Sequence, residues 1–264
     1  MAVKYDFKNK VVLVTGSSSG IGEECVCQFS LFGAKVVITG RNESRIKSVA
    51  EKCEQLSPHK YKPLAVVADL TNEKEVEKLV EQTVTNFGGI DILVNNAGIA
   101  NGDTISSPNI LSTFDKMIAT NLRPVIQLCN LCLPHLQISK GCIVNVSSAA
   151  GLHPIPRLAS YGIAKAGLHM LAKIIAVEYA EHGVRVNTVC PTSLKTPVYE
   201  TLGLNEQQFD EMLMNQATKL PLLRCANISD VVNAILFFAS DSAEFLTGHI
   251  VPIDGGLNLT TRAT

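Results

Sequence analysis

Long hydrophobic runs are missing from this sequence. No apolar stretch reaches the ~20 residues needed to cross a bilayer, and the opening "MAVKYDFKNK" carries charge where an export signal would place an apolar segment. The expectation is a soluble, cytoplasmic chain with no membrane span. An excess of charge of one sign is missing too. Lys and Arg number 23 against 24 Asp and Glu, the net charge is -1, and the cations are scattered, which leaves no basic face for nucleic acid or an anionic membrane. A disulfide framework is absent as well. Cys25, Cys27, Cys53, Cys129, Cys132, Cys142, Cys190 and Cys225 sit mostly inside apolar segments of a long chain, so they are expected to be reduced core residues. Cys129 and Cys132 form a C-x-x-C within the helical pattern "QLCNLCLPHL", without the second pair or spaced histidines of a zinc site. No metal site is expected, and small-molecule chemistry remains.

What is present is alternation. Short β-branched runs at Val11 to Thr15, Lys35 to Thr39, Leu64 to Ala68, Ile92 to Asn95, Cys142 to Ser147, Arg185 to Val189 and Ile250 to Ile253 are separated by helical patterns. Near-continuous hydrophobicity fits strands covered on both faces, so the spacing predicts an α/β fold: a doubly wound parallel sheet of about seven strands, Rossmann-like. One domain is expected over residues 1–264, since no linker or repeat divides the chain. Thr71 and Ser229 are candidate caps for the helices "NEKEVEKLVEQTVTNFGG" and "SDVVNAILFFASD", and Gly33 and Gly88 mark helix ends. Residues 191–223, rich first in turn formers and then in Met, Gln and Leu, read as an insertion of short helices able to cover a pocket.

Three features carry chemistry. "VVLVTGSSSGIG" places Gly16, Gly20 and Gly22 between a strand and a helix, where small residues let backbone N–H groups approach a pyrophosphate. The second strand ends "VVITGRNESR": Gly40 stands where a ribose-binding acid would be, and Arg41 follows, able to meet a 2′-phosphate. NADP(H) is therefore favoured over NAD(H), with Glu43 as a rival ribose ligand. Finally, "SYGIAKAG" sets Tyr161 four positions before Lys165, on one helix face. An ammonium beside a phenol favours the phenolate, which predicts a lowered pKa and a usable general acid or base. Ser147 and Ser148, at the end of "GCIVNVSSAAG", are placed to donate to a substrate oxygen.

Together these pieces resemble the short-chain dehydrogenase/reductase family, from Lys10 to about Leu257. "TGSSSGIG" (15–22) looks like its cofactor turn, "NNAG" (95–98) like its sheet-stabilising motif, and "IDGG" (253–256) like its C-terminal signature. The resemblance implies a catalytic tetrad of Asn121, Ser148, Tyr161 and Lys165. Tyr161 would be the acid/base. Lys165 would lower the phenol's pKa and hold the nicotinamide ribose, Ser148 would polarise the carbonyl, and Asn121 would hold a water linking Lys165 to solvent. Ser148 is preferred to Ser147 because Tyr161 follows it by thirteen positions, as the family pattern implies. The implied cofactor contacts are Gly16, Ser18, Ser19, Gly20, Ile21, Gly22, Arg41, Asp69, Leu70, Asn95, Ala97, Gly98, Pro191, Leu194 and Thr196, besides Tyr161 and Lys165. Asp69 could equally cap the following helix.

One position departs from the family. Thr192 follows Pro191 where relatives carry glycine, and a β-branched residue avoids positive φ, so the backbone of the following loop is expected to differ. Ser148 and Tyr161 with His153 and Tyr199 are the expected substrate contacts, among Leu152, Pro154, Ile155, Met212 and Met214; His153 could instead be structural. These favour a mainly apolar carbonyl or secondary alcohol, with no cluster of cations near Tyr161 beyond Arg157. The expectation is an NADP(H)-dependent carbonyl reductase or alcohol dehydrogenase. A 3-oxoacyl-[acyl-carrier-protein] reductase and a non-catalytic dinucleotide-binding regulator are the alternatives. Apolar helices over 124–137 and 165–179, with the resemblance, imply a homotetramer.

Overall fold

A computed structural model describes residues 5–259, apart from the side chains of residues 199 and 200. Among the described residues, seven strands form one parallel sheet: β1 (Val11–Val14), β2 (Lys35–Gly40), β3 (Leu64–Val67), β4 (Ile92–Asn95), β5 (Cys142–Val146), β6 (Arg185–Pro191) and β7 (Ile250–Ile253). Their spatial order is β3-β2-β1-β4-β5-β6-β7. Between them run α1 (Gly20–Leu31), α2 (Glu43–Leu56), α3 (Glu73–Phe87), α4 (Ile110–Asn121), α5 (Arg123–Ser139), α6 (Ala159–Tyr179), α7 (Val198–Thr201), α8 (Glu206–Ala217) and α9 (Ile228–Ala239). This is the doubly wound, Rossmann-like single domain that the alternation predicts.

The alternating direction of strand side chains explains why the strands are apolar throughout. Val12 and Val14 of β1 enter a core with Val26 and Phe29 of α1, Val49 of α2 and Val232 of α9. Leu13, between them, enters the opposite core with Leu79 of α3, Leu128 of α5 and Leu168 of α6. The sheet order reverses at β1, which pairs with β2 on one side and β4 on the other. Such a reversal opens a crevice at the carboxyl ends of the strands.

Helix ends follow local chemistry, with one correction. Gly33 and Gly88 adopt φ of +91° and +87° at helix C-termini, as expected. The caps of α3 and α9 are Asn72 and Asn227, not Thr71 and Ser229. Asn72 Oδ1 accepts from the Lys74 N–H at 3.1 Å, and the Asn227 N–H donates to Asp230 Oδ2 at 2.8 Å. In α9 Asp230 reaches back to the asparagine's backbone, as in a capping box, whereas in α3 Glu75 accepts from the Asn72 side-chain Nδ2 at 2.9 Å. All eight cysteines are free thiols, and among the described residues no helix is long and apolar enough to cross a membrane. The segment 191–223 does contain two helices, α7 and α8.

Close packing at the start of α1 generates a test. A Cβ on Gly22 would lie 2.4 Å from the Gly16 carbonyl oxygen and 2.6 Å from Asn96 Nδ2. Gly22→Ala, normally favourable in a helix, is expected to lower stability by about 1–3 kcal/mol through overpacking, measured by urea unfolding.

Candidate active site

A cavity of about 1570 Å³ opens at the carboxyl ends of the strands. Its first wall is the turn joining β1 to α1. Gly16 and Gly20 take φ of +62° and +58°, which glycine adopts without a steric cost. A Cβ on Gly16 would also approach within 2.9 Å of the Ala97 Cα. The turn is held from β4: Asn96 Nδ2 donates to the carbonyls of Thr15 at 2.8 Å and Gly16 at 3.2 Å. In return Thr15 Oγ1 accepts from the N–H groups of Asn96 and Ala97, at 2.9 and 3.0 Å. Gly16, Ser18, Ser19, Gly20 and Ile21 all face the cavity. Gly22 does not; its small size serves the close packing described above. Asn95 is likewise withdrawn, buried between strands with its Nδ2 donating to Asn145 Oδ1 at 2.9 Å. Both were expected to touch cofactor, and the geometry gives them supporting positions instead.

At the far end, Arg41, just before α2, lines the cavity together with Arg45 in the first turn of that helix. Arg45 was not anticipated, since Arg41 lies outside α2 and no helical spacing links the two. Gly40 has a steric reason: a Cβ there would lie 2.8 Å from Ser18 Oγ. Glu43 opens α2 and is absent from the cavity wall. Asp69 and Leu70 line this end as well. Asp69 Oδ1 accepts from the N–H and hydroxyl of Thr71, at 2.9 and 2.8 Å, and those bonds hold its carboxyl below the ordinary range. It forms a local turn; the helix cap is Asn72.

The middle of the cavity brings together Ser148, Tyr161 and Lys165. β5 ends in a 3-10 turn at Ala149–Gly151 whose Ala150 N–H donates to Ser148 Oγ at 3.2 Å. Ser147 is committed inward: its hydroxyl donates to the Lys165 carbonyl at 3.1 Å and lies 2.8 Å from His169 Nε2. Both serines line the cavity, and this commitment leaves the Ser148 hydroxyl the freer of the two. Lys165 is only 4% exposed, and its Nζ donates to the Val146 carbonyl at 3.0 Å and stands 5.8 Å from the Tyr161 ring centre. Asn121 lies at the break between α4 and α5, fully buried. Its Oδ1 accepts from the Ile99 N–H at 2.9 Å and its Nδ2 donates to Met117 Sδ at 3.5 Å. A Cβ on Gly98 would lie 2.7 Å from that Oδ1 and 3.4 Å from Lys165 Nζ, so the asparagine and the lysine both flank the space that this glycine leaves open.

Electrostatics correct one expectation. Burial raises the Tyr161 phenol above its ordinary value, and the opposing influence is a hydrogen bond from Ser148, not the Lys165 charge. Burial also lowers Lys165 to about 8, because an ammonium taken out of water is disfavoured. Neighbouring His169 is lowered to about 4, by burial and then by the charges of Lys173 and Lys165, so it is a neutral partner for Ser147 and for Cys190 Sγ at 3.3 Å. Nothing in the sequence pattern singled out this buried cluster.

The remaining wall comes from the β6 exit and α8. Pro191, Leu194 and Thr196 face the cavity, as do His153, Pro154, Ile155 and Met212. Leu152 and Met214 do not, and the Tyr199 side chain lies outside the described residues. Thr192 needs no positive φ. It is buried, and its Oγ1 accepts from Gln216 Nε2 of α8 at 2.9 Å, so the residue in the usual glycine position ties the overlying helix to the sheet.

The chain is similar to known proteins over nearly its whole length. A family model described as "Enoyl-(Acyl carrier protein) reductase" matches residues 16–258. An L-xylulose reductase of Caenorhabditis elegans is 35% identical over 261 residues, covering 98% of this chain and 99% of its own. A short-chain dehydrogenase/reductase of unknown function from the same organism, solved with cofactor, superposes with a TM-score of 0.90 at 33% identity, covering 97% of each chain. A 3-ketoacyl-(acyl-carrier-protein) reductase of Brucella melitensis, solved with NADH, has a TM-score of 0.84 at 31% identity, covering 96% of this chain and 99% of its own.

The buried lysine sets a pH dependence. Its folded pKa of about 8 lies below the ordinary 10.5, so the unfolded chain binds more protons between those values and stability rises with pH there. Below about pH 8 the full burial penalty is present. Wild type is therefore expected to gain stability relative to Lys165→Met as pH rises from about 8 to 10.5, measured by melting curves across that window.

Proposed function

The chain belongs to the short-chain dehydrogenase/reductase family and is an oxidoreductase, and from that membership we propose that it is an NADP(H)-dependent enzyme moving a hydride between nicotinamide and a carbonyl or secondary alcohol. The observation that carries the reading is the convergence of Ser148, Tyr161 and Lys165 on one wall of a cavity large enough for a dinucleotide and a small substrate. The residues fit that cofactor. Gly16 and Gly20 leave backbone open toward a pyrophosphate at the start of α1, and Arg41 and Arg45 offer guanidinium groups at the opposite end.

When bound, the cofactor supplies or accepts the hydride. The protein's part is placement and proton transfer. The Ser148 hydroxyl donates to the substrate oxygen and fixes its direction. Tyr161, kept protonated by burial, donates its phenolic proton to that oxygen during reduction and removes the alcohol proton in the reverse direction. The Lys165 ammonium, carried on the same face of α6, would hold the nicotinamide ribose hydroxyls. Family membership implies that Asn121, across Gly98 from the lysine, would help hold a water linking Lys165 to solvent.

Support for NADP(H) over NAD(H) comes from Ser18 occupying the space a side chain at position 40 would need, from the paired arginines, and from the absence of Glu43 from the wall. Ile99, Leu202, Leu204, Phe209 and Met212 favour a mainly apolar substrate body. The acyl-carrier-protein-linked reduction of a 3-oxoacyl group is the second reading, favoured by the likeness to the Brucella reductase. A regulator without turnover is disfavoured because all four catalytic positions are occupied. Free thiols support a cytoplasmic location. The exposed apolar side chains Ile126, Ile163, Met170, Ile174 and Val177 on α5 and α6 support the homotetramer.

A panel of ketones, quinones, 3-oxoacyl thioesters and secondary alcohols, followed by reduced-nicotinamide absorbance, tests the reading. Tyr161→Phe is expected to lower kcat by about 10²- to 10⁴-fold with cofactor affinity retained. Arg41→Ala is expected to raise the KM for NADP(H) about tenfold or more and leave that for NAD(H) unchanged; a wild-type preference for NAD(H) would overturn the cofactor assignment.

A further inference from the structure

We propose that Asp103 is a positioning residue for the reaction above: it caps the catalytic helix from outside and so fixes where Tyr161 stands. The inference rests on the oxidoreductase reading and adds to it a residue outside the tetrad.

The starting point is a helix that cannot cap itself. The first N–H groups of any α-helix lack intrahelical partners, and α6 begins after Leu158, which has no polar side chain to offer. Asp103, far away in sequence on the segment between β4 and α4, supplies the acceptors. The Ser160 N–H donates to Asp103 Oδ1 at 3.1 Å, and the Ser160 hydroxyl donates to Asp103 Oδ2. The backbones pair as well: the Asp103 N–H donates to the Arg157 carbonyl at 2.9 Å, and the Ala159 N–H to the Asp103 carbonyl at 3.4 Å. These bonds make an isolated parallel bridge between Asp103 and Leu158.

The environment raises what is at stake. Asp103 is 5% exposed and Ser160 1% exposed. Among the described residues no cation forms an ion pair with Asp103. A carboxylate buried without a cation is costly unless donors surround it, and here the donors and the positive end of the helix dipole come from α6 itself. The carboxylate and the helix start therefore stabilise each other. Tyr161 is the next residue along.

The same segment reaches the rest of the site. Asn96 grips the phosphate turn, the Ile99 N–H donates to Asn121, and the Ala100 N–H donates to Thr201 Oγ1 of α7 at 3.2 Å. Residues 96–103 form a strut with the cofactor turn at one end and the first turn of α6 at the other. Releasing Asp103 leaves the turn in place and lets the phenol shift relative to it. A displacement of about 1 Å between reacting groups costs about 100-fold in rate.

The test compares Asp103→Ala with Asp103→Asn, since asparagine keeps an acceptor for the Ser160 N–H and can turn its amide toward the hydroxyl. Asp103→Ala is expected to lower kcat about 100-fold with cofactor affinity unchanged, Asp103→Asn to restore most of that loss, and the amides of residues 160–162 to exchange faster in the alanine variant alone. Wild-type kcat in Asp103→Ala overturns the proposal, as does an equal loss in both variants accompanied by loss of cofactor binding. If Asp103→Ala does not fold, Ser160→Ala replaces it and must show the same lowered kcat with intact cofactor affinity. If wild type turns over no substrate with either cofactor, the oxidoreductase reading fails by itself. Hydrogen exchange then decides the clasp, and wild-type exchange at 160–162 in Asp103→Ala overturns it.

Discussion

The burial of one ammonium group at the carboxyl end of β5 is the constraint around which the site is arranged. Lys165 Nζ reaches the Val146 carbonyl at 3.0 Å with almost no exposure to solvent. A charge in that position needs acceptors and near neighbours with no bulk, and the surroundings provide both. Gly98 has no Cβ because one would press on Asn121 and crowd the ammonium. Gly151 is equally constrained, since a Cβ there would come within 2.9 Å of the Lys165 backbone carbon. The helix that carries the lysine also carries Tyr161, so seating one seats the other.

That arrangement depends in turn on how the strands end. The segments that leave β1, β4, β5 and β6 all open onto the same crevice, because parallel strands run the same way and the sheet order reverses at β1. Asn96 and Thr15 exchange bonds between adjacent strand ends, which holds the phosphate turn against β4. Thr192 plays a corresponding part on the other side, tying α8 to β6 through Gln216. The strand ends form one wall of the cavity, and the segments after β6 line the other.

Much of this was legible in the residues. Every strand lies where an apolar, β-branched run predicts it, within one or two residues, because burial on both faces leaves little freedom in composition. The Tyr161 and Lys165 pair was legible from four-residue spacing, and the cofactor turn from its glycines. Other positions were not. Thr71 and Asn72 are both plausible caps by type, and only the reach of Glu75 decides between them. Thr192 looks like a backbone problem until the structure shows that its φ is ordinary. Arg45 and His169 carry no motif; their importance comes from what other segments bring beside them.

Local pattern thus determined the elements, their order, the glycine turn and the shared helix face of Tyr161 and Lys165, since periodicity, backbone sterics and helical spacing act over a few residues. Tertiary structure decided which serine hydroxyl is tied inward, which asparagines stay in the sheet, and that burial lifts the phenol while depressing the lysine. It also decided which carboxylate caps α6, a contact between Asp103 and Ser160 that are 57 positions apart. Hydrogen-bond commitment and desolvation depend on neighbours drawn from distant parts of the chain, and no window of sequence contains those neighbours together.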